Sequence, residues 1–373
     1  MSVLETPATS AAPTSGGDEG GPGSLLPVIR EIPAEAYANP TWKGLAYFAR
    51  DLVFYGLLLW GLAVTDNPIF LVLLWAASAV VVSGLFVIGH DAAHEALFSS
   101  KRLNSIVGHL AFIPSMHVYE AWVLGHNRIH HGHTVRQGMD FVWHPVTVEQ
   151  WAAMSRRQRA RHRLEWSWLG SGPYYLREIW WNKMITFEPP AKWRKGIRRD
   201  QLFLAVAVGV LVAGVGVLGW FTYGSALGVA WMIVKLVVVP FLGFNVMIGW
   251  VVHVHHIAPD IRWWPRRQWT KFHGQMEGTT ILRVPLGLNL FFHWIFVHVP
   301  HHVDMRIPCY GLNRAAEAIK EAYPDVVIDE KLRFRDYLRN TRACKLYDFD
   351  DGRWLTYAEA RRELEAAPTA TVS

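Results

Sequence analysis

Apolar residues along the chain are gathered into four long runs that polar and charged segments separate. The runs cover approximately residues 45–64, 69–88, 202–221 and 227–252. Each has the length of about 20 residues that a helix needs to cross the hydrocarbon core of a bilayer. Residues 65–68 join the first two runs, and little more than residues 222–225 joins the last two. The pattern therefore predicts two transmembrane helical hairpins in an all-α integral membrane protein.

Two hairpins return the chain to the side of the membrane on which it began. The N-terminal segment, the loop of residues 89–200 and everything after residue 252 are therefore expected on one face. Lys and Arg are concentrated in that loop, between Arg156 and Arg199, whereas the two connecting turns contain neither. Because short loops rich in Lys and Arg stay on the cytoplasmic side, we expect this face and both termini in the cytoplasm, at a bacterial inner membrane.

The other segments are less apolar. Two of them, approximately residues 105–124 and 282–299, are interrupted by Pro, His and Asn, which predicts interfacial helices rather than spans. Residues 1–27 are rich in small residues and Pro and lack apolar periodicity, which predicts a disordered segment and no signal peptide. We expect residues 28–325 to form one membrane domain with a histidine-rich cytoplasmic cap, and residues 326–373 to form a cytoplasmic tail.

Composition supports a membrane protein. The chain is 51% hydrophobic and only 18% charged, against about 25% charged residues in an average soluble protein. Its 19 Trp residues suit the membrane–water interface. The net charge of +6 arises largely in one loop, so it indicates a membrane face and no nucleic-acid partner. Cys309 and Cys344 do not form a CxxC motif, and two cysteines indicate no disulfide framework.

Many of the 18 histidines are clustered. The first cluster is HDAAH at 90–94, the second is HNRIHH at 126–131 with His133 just beyond it, and the third is HVPHH at 298–302. A fourth group, His253, His255 and His256, follows the last apolar run. Residues three or four apart share a helix face, so 90 and 94, 126 and 130, and 298 and 301 are each expected side by side. The predicted topology places all four groups on one membrane face.

Metal binding explains these clusters best. Imidazole suits Fe, Zn, Cu and Ni, and the absence of Cys from the clusters argues against iron–sulfur and structural zinc sites. One tetrahedral zinc needs only four ligands, so eight or nine candidate histidines indicate two metals of higher coordination number. The isolated histidines are instead interpreted as packing or interfacial residues: His109, His117, His144, His162 and His273.

The pattern HxxxH, HxxxHH, HxxHH resembles the membrane fatty acid desaturase superfamily of histidine-box di-iron oxidases. It is most similar to the omega-6 (delta-12) acyl-lipid desaturases of cyanobacteria and plastids. The resemblance extends over approximately residues 45–325, and its most specific segment is HVPHH followed by IPCYGL at 298–312. One departure is that box two has three residues, where close relatives more often have two, between its first His and the HH pair. This leaves the assignment among His126, His130, His131 and His133 open.

The resemblance implies a set of metal ligands: His90, His94, His126, His130, His131, His256, His298, His301 and His302. His255 competes with His256 for the position outside the boxes. Groups that orient such ligands usually accept a hydrogen bond from the second ring nitrogen. The candidates for that role are Asp91, Glu95, Asp140, Asp304 and His293.

The implied activity is an O₂-dependent fatty acyl desaturation at two Fe ions, because no side-chain acid or base can remove hydrogen from an unactivated methylene. The chain lacks the HPGG segment of a fused cytochrome b5 domain and a GxGxxG cofactor motif. An external electron donor is therefore expected, either ferredoxin or a cytochrome b5-type protein. The basic residues at 156–163 could dock it, or could contact lipid head groups. The alternatives are a histidine-box hydroxylase or acetylenase acting on fatty acyl, alkane or carotenoid substrates. A metal-ion transporter is disfavoured because the spans are almost free of polar residues.

Overall fold

The computed structural model describes residue 21 and residues 23–366. The disorder predicted for residues 1–27 falls mostly outside this range, and the first helix, α1, covers Leu26–Glu31. Within the described residues, four helices are long and apolar enough to cross a membrane. The all-α membrane fold and the two hairpins are thereby confirmed.

The four spans extend beyond the predicted apolar runs. They are α2 (Thr41–Val64), α3 (Pro68–Ala93), α10 (Ala191–Tyr223) and a last helix over Ala226–His256. That last span consists of α11 (Ala226–Ile233), a π-helical stretch (Val234–Val238) and α12 (Val239–His256). Hydropathy does not detect their ends, because polar residues such as His90 continue the helical hydrogen bonding after the apolar run stops.

Local chemistry explains why the hairpins turn where they do. Asn67 caps α3, since its side-chain oxygen accepts a hydrogen bond from the Ile69 N–H at 3.0 Å, and Pro68 suits the first helical position. In the second hairpin, Gly224 ends α10 with a left-handed backbone (φ +62), which glycine adopts without steric cost. Ser225 then caps α11 by accepting from the Gly228 N–H at 3.1 Å.

The two hairpins pack together through an apolar core between α3 and α12. Phe86 and Phe244 contact each other with ring centres 5.2 Å apart, and Val82, Ile248 and Val251 are buried around them. At the opposite end of the bundle from the histidines, a buried Lys235 ties the two connecting turns together. Its ammonium donates to Thr65 O, Asp66 Oδ1 and Tyr223 OH at 2.8–3.1 Å.

Short helices carry the chain across the histidine-bearing face, and each of the two predicted interfacial segments is broken into helical pieces. The remaining α-helices are α4 (Lys101–Phe112), α5 (Tyr119–Trp122), α6 (His131–His133), α7 (Val148–Ala153), α8 (Arg156–Glu165), α9 (Ser171–Tyr174), α13 (Leu286–Phe292), α14 (His298–Val303), α15 (Leu312–Ala322), α16 (Phe334–Ala343) and α17 (Tyr357–Ala366). Further π-helical stretches are Val123–His130, Tyr175–Ile185 and His273–Glu277, and 3₁₀ turns are Ala34–Tyr37 and Cys309–Gly311.

The C-terminal tail packs on the membrane domain. Strand β1 (Ile281–Arg283) pairs in parallel with β2 (Asp329–Lys331), and β3 (Leu346–Asp348) pairs antiparallel with β4 (Arg353–Leu355). The Tyr337 hydroxyl donates to Trp168 O at 2.8 Å, and the Trp354 indole donates to Ile261 O at 3.0 Å. The boundary after residue 325 remains a prediction, and β1 and β2 pair across it.

Candidate metal centre

Five elements bring the histidine clusters together. His90 lies in the last turn of α3, and His94 follows its end. The second cluster lies on the π-helical stretch Val123–His130 and on α6. His256 ends α12, and the third cluster forms α14. All nine predicted ligands are buried, so the convergence expected from the topology is observed.

Five of these histidines form a first group: His90, His94, His126, His131 and His301. One ring nitrogen of each lies within 4.8 Å of the corresponding nitrogens of the others. The Nε2 atom of His126 lies 2.8 Å from His90 Nε2 and 3.1 Å from His131 Nε2. A metal about 2.1 Å from two imidazole nitrogens, at angles of about 85–110°, holds them about 2.8–3.4 Å apart. The spacing of the first group therefore fits ligands of one ion.

Three further histidines form a second group, His130, His256 and His302, again with ring nitrogens within 4.8 Å of one another. The ring of His302 stacks on His131 of the first group at 4.3 Å, so the two groups are neighbours. His298 lies beside the second group, with its ring centre 4.7 Å from that of His302. Eight predicted ligands are thus divided between two candidate ion positions, and the ninth lies against them.

The π-helical backbone decides which histidines share a group. Standard helical spacing pairs His126 with His130, but these two belong to different groups, although their rings are 5.3 Å apart. Instead His131, whose N–H donates to His126 O, joins His126. A π-helix places residues five apart next to each other, and such bulges are frequent at functional sites. The wider π-helical turn therefore directs the histidines of the second cluster into two different groups.

The competing histidines lie elsewhere. His133 faces the Arg136 guanidinium, with its Nδ1 at 3.2 Å from Arg136 Nη1. His255 stacks on His298 at 4.1 Å rather than joining the second group. His253 packs against Trp143 and Tyr337. Of the two candidates after the last span, the geometry favours His256.

Unpartnered nitrogen atoms show that the groups suit a cation. Both ring nitrogens of His301, Nε2 of His302 and Nδ1 of His131 are buried without a hydrogen-bond partner among the described residues. Buried polar atoms normally find a partner. Burial also lowers the pKa of His126, His131, His301 and His302 well below the usual 6.5, and the neighbouring imidazoles lower it further. These rings are therefore neutral near pH 7, which is the form that binds metal.

In four of the clustered histidines, the Nδ1 atom of the ring contacts an oxygen atom of a neighbouring residue. Asp91 Oδ1 lies 3.2 Å from His90 Nδ1, and Asp140 Oδ1 lies 3.0 Å from His130 Nδ1. His256 Nδ1 is 3.0 Å from Gly278 O, and His302 Nδ1 is 2.8 Å from Gln275 Oε1. Such contacts fix the tautomer and orientation of a metal-binding imidazole. The sequence identified Asp91 and Asp140, but Gln275 and Gly278 lie in a segment without any motif.

The other predicted orienting residues contact different groups. The half-exposed Glu95 pairs with Lys101 at 2.8 Å, because it follows the end of α3 with a left-handed backbone (φ +58). His293 Nε2 lies 2.6 Å from Asp51 Oδ2. Asp304 accepts from the Tyr37 hydroxyl at 3.0 Å and pairs with Arg306 at 2.6 Å. Among the described residues, none of these three side chains forms a hydrogen bond or an ion pair with a predicted ligand.

A narrow, mostly apolar cavity borders both groups. Six histidines form part of its wall: His90, His126, His130, His255, His256 and His298. The rest of its lining is largely aliphatic and aromatic and includes Phe86, Trp122, Ile179, Met184 and Val251. Phe141 lines both this cavity and a wide groove that opens at the surface. An extended apolar chain that entered past Phe141 would lie directly against the imidazoles.

These features describe an integral membrane protein with two buried groups of histidines that could hold metal ions beside an apolar cavity. The chain belongs to the fatty acid desaturase family, whose profile matches residues 66–330. It is 31% identical over 339 residues to an sn-1 oleoyl-lipid 12-desaturase of Anabaena variabilis, covering 88% of this chain and 91% of the relative.

Two other relatives show the range of the similarity. An sn-1 acyl-lipid omega-3 desaturase (ferredoxin) of Nostoc sp. (strain 36) is 33% identical, over 78% of each chain. A chloroplastic omega-6 fatty acid desaturase of Glycine max is 28% identical, over 87% of this chain and 74% of the relative. The predicted family is confirmed, and the protein is an oxidoreductase of the desaturase class.

Proposed function

We propose that this chain is a di-iron acyl-lipid desaturase that uses O₂ and introduces a cis double bond at the delta-12 (omega-6) position. The observation that carries the proposal is the apolar cavity with a wall of histidines, because a lipid chain bound in it would lie beside the candidate metal-binding groups. The similarity to the 12-desaturase of Anabaena variabilis and the omega-6 desaturase of Glycine max supports the position of the bond.

We assign the first group of histidines to one iron and the second group, with His298, to the other. Bound iron would supply, with O₂, the oxidising power that acids and bases lack. The side chains of the protein do the remaining work. Asp91 and Asp140 orient imidazoles, Trp122 stacks on His126 at 4.5 Å, and the apolar walls keep water from the methylenes. Holding two reactants in a fixed geometry removes much of the barrier to their reaction.

The groove outside Phe141 fits the uncharged or zwitterionic head of a glycerolipid. Three Lys and Arg side chains line the groove, and all but Arg161 are paired: the Arg177 guanidinium donates to Glu165 and Glu178, each at 2.8 Å, and Lys183 lies 3.6 Å from Glu178. A coenzyme A thioester would bring several phosphates, which bind best to unpaired cations. The mixed charge of the groove thus favours a lipid head group.

The sidedness and the donor complete the proposal. The basic residues between Arg156 and Arg199 support a cytoplasmic location for the histidine groups and both termini. Desaturation consumes two electrons. The described residues contain no cofactor motif that could provide them. The similarity to the ferredoxin-type omega-3 desaturase of Nostoc sp. (strain 36) supports a donor of that class, in preference to cytochrome b5.

Expression in bacterial membranes that contain oleoyl lipids, with ferredoxin and its reductase, tests this function. Wild-type protein should produce a second double bond at carbon 12, located by mass spectrometry of the derivatised acyl chains. His301→Ala should abolish the product, whereas His109→Ala should retain it, because His109 lies outside both groups and lines neither the cavity nor the groove. Equal monodisperse yields of the variants in detergent would exclude misfolding. A hydroxylated product without a new double bond would overturn desaturation, and fewer than two irons per chain in iron-replete cells would overturn the di-iron assignment.

A further inference from the structure

An exposed basic surface lies over the second group of histidines. It consists of Arg136, Arg266, Arg267 and Lys271 around Trp269, and we refer to it as the docking face. The last three cations are exposed and Arg136 is half-buried. None of the four forms an ion pair within residues 23–366, and the neighbouring Glu277 is held by His273 at 3.0 Å. Unpaired cations of one sign favour an anionic partner.

A short hydrogen-bonded path leads inward from this face. The Trp269 indole, which carries the Arg136 guanidinium 5.0 Å above its ring, donates to Thr134 O at 2.8 Å. The buried Thr134 hydroxyl lies 3.2 Å from His302 Nδ1. One residue therefore separates a surface tryptophan from an imidazole of the second group.

The basic helix α8 offers a longer route. Its exposed arginines include Arg156 and Arg157. From this helix an aromatic series leads through His162, Trp166 and Trp143 to His253, with ring centres 4.7–5.5 Å apart. His253 belongs to neither metal-binding group. Although the sequence suggested this helix as a docking surface, the structure favours the docking face.

We propose that the docking face binds a small acidic one-electron carrier protein of the ferredoxin class, and that Trp269 and Thr134 connect it to His302. This inference rests on the proposed desaturase function. Each turnover then requires two docking events, because each carrier is oxidised by one electron. The acyl chain loses two hydrogens as its double bond forms. O₂ accepts these, together with two electrons from the carriers and two protons from water, and is reduced to two water molecules.

Charge reversal tests the binding step. Arg267→Glu/Lys271→Glu alters the docking face, and Arg156→Glu/Arg157→Glu makes the same change of net charge on α8. The affinity of a plant-type [2Fe–2S] ferredoxin would be titrated against full-length protein in nanodiscs, with and without iron, at several salt concentrations. We expect the first variant to weaken binding about tenfold and to reduce its salt dependence, and the second to remain within about twofold of wild type. Equal weakening in both variants, weakening only in the α8 variant, or no binding by wild type would overturn the proposal.

Trp269→Phe tests the inward path, with the exposed Trp42→Phe as its matched control. We expect ferredoxin to bind Trp269→Phe with unchanged affinity but to reduce the iron centre about tenfold more slowly in stopped-flow measurements. Reduction by dithionite should be unchanged. An unaltered rate with ferredoxin would refute the path. If dithionite-reduced wild-type protein with O₂ fails to desaturate its lipid, the proposed function fails, whatever the outcome at the docking face.

Discussion

Asp140→Asn is expected to weaken the binding of one iron selectively. The buried carboxylate has three partners: Oδ1 lies 3.0 Å from His130 Nδ1 and accepts from the Val142 N–H at 3.0 Å, while Oδ2 accepts from the Val135 N–H at 3.0 Å. All three contacts require an acceptor, and the ionised carboxylate is an acceptor at both oxygens.

Asparagine keeps the shape of Asp140 but replaces one acceptor with a donor. Whichever way the amide is turned, its NH₂ group faces at least one of the three N–H groups. A buried donor left without an acceptor costs about 1–3 kcal/mol. Loss of an orienting partner typically lowers metal affinity by about 10–100-fold, which corresponds to about 1.4–2.8 kcal/mol. Because the ring that Asp140 orients is His130 of the second group, the affinity of the iron at the second group should fall by that factor.

The measurement is a chelator competition on iron-loaded protein in nanodiscs, with iron per chain determined by mass spectrometry. One iron should be lost from Asp140→Asn at a chelator concentration 10–100-fold lower than from wild type, while the other is retained. Asp350→Asn, on the exposed turn between β3 and β4, serves as the control for the chemical change. If both irons of Asp140→Asn are released at wild-type chelator concentrations, Asp140 does not orient a ligand.

Three further changes test other parts of the structure. Lys235→Met should lower the free energy of unfolding by about 1–3 kcal/mol, because Asp66 and backbone oxygens lose a buried donor; thermal unfolding in detergent measures it. Burial lowers the pKa of His117 to about 4, so this residue alone should account for about 2 kcal/mol of the stability that wild type loses between pH 7 and pH 5, because the unfolded state binds the proton more readily; His117→Phe should remove that part of the loss. Ile179→Trp should fill the cavity and reduce oleoyl desaturation at least tenfold, with unchanged iron content.

Hydropathy predicted the number of spans but not their ends. The apolar runs are visible because lipid-facing positions have to be apolar, and this requirement stops at the interface. Beyond it, α3 continues to Ala93 and α10 begins at Ala191, since backbone hydrogen bonding needs no apolar side chains. This is why His90 lies within a spanning helix rather than after it.

The division of the clusters into two groups could not be predicted. Topology alone brings the clusters to one face, but the partition depends on backbone geometry within the second cluster. An α-helical register would have paired His126 with His130. The π-helical register pairs His126 with His131 and turns His130 towards His256 and His302. Nothing in the spacing HxxxHH distinguishes the two registers.

Without a bound metal, the close contacts between ring nitrogens of the first group cannot all be hydrogen bonds. His90 Nδ1 faces the Asp91 carboxylate and therefore carries the proton, which leaves Nε2 of His90 as an acceptor. His126 Nε2, 2.8 Å away, has to donate to it. That nitrogen then cannot also accept from His131 Nε2 at 3.1 Å. At least one close pair therefore lacks a normal hydrogen bond of its own. A cation removes this conflict, because each neutral imidazole then directs a lone pair at it. Metal binding would thus stabilise the packing of α3, α6 and the π-helical stretch between residues 123 and 130.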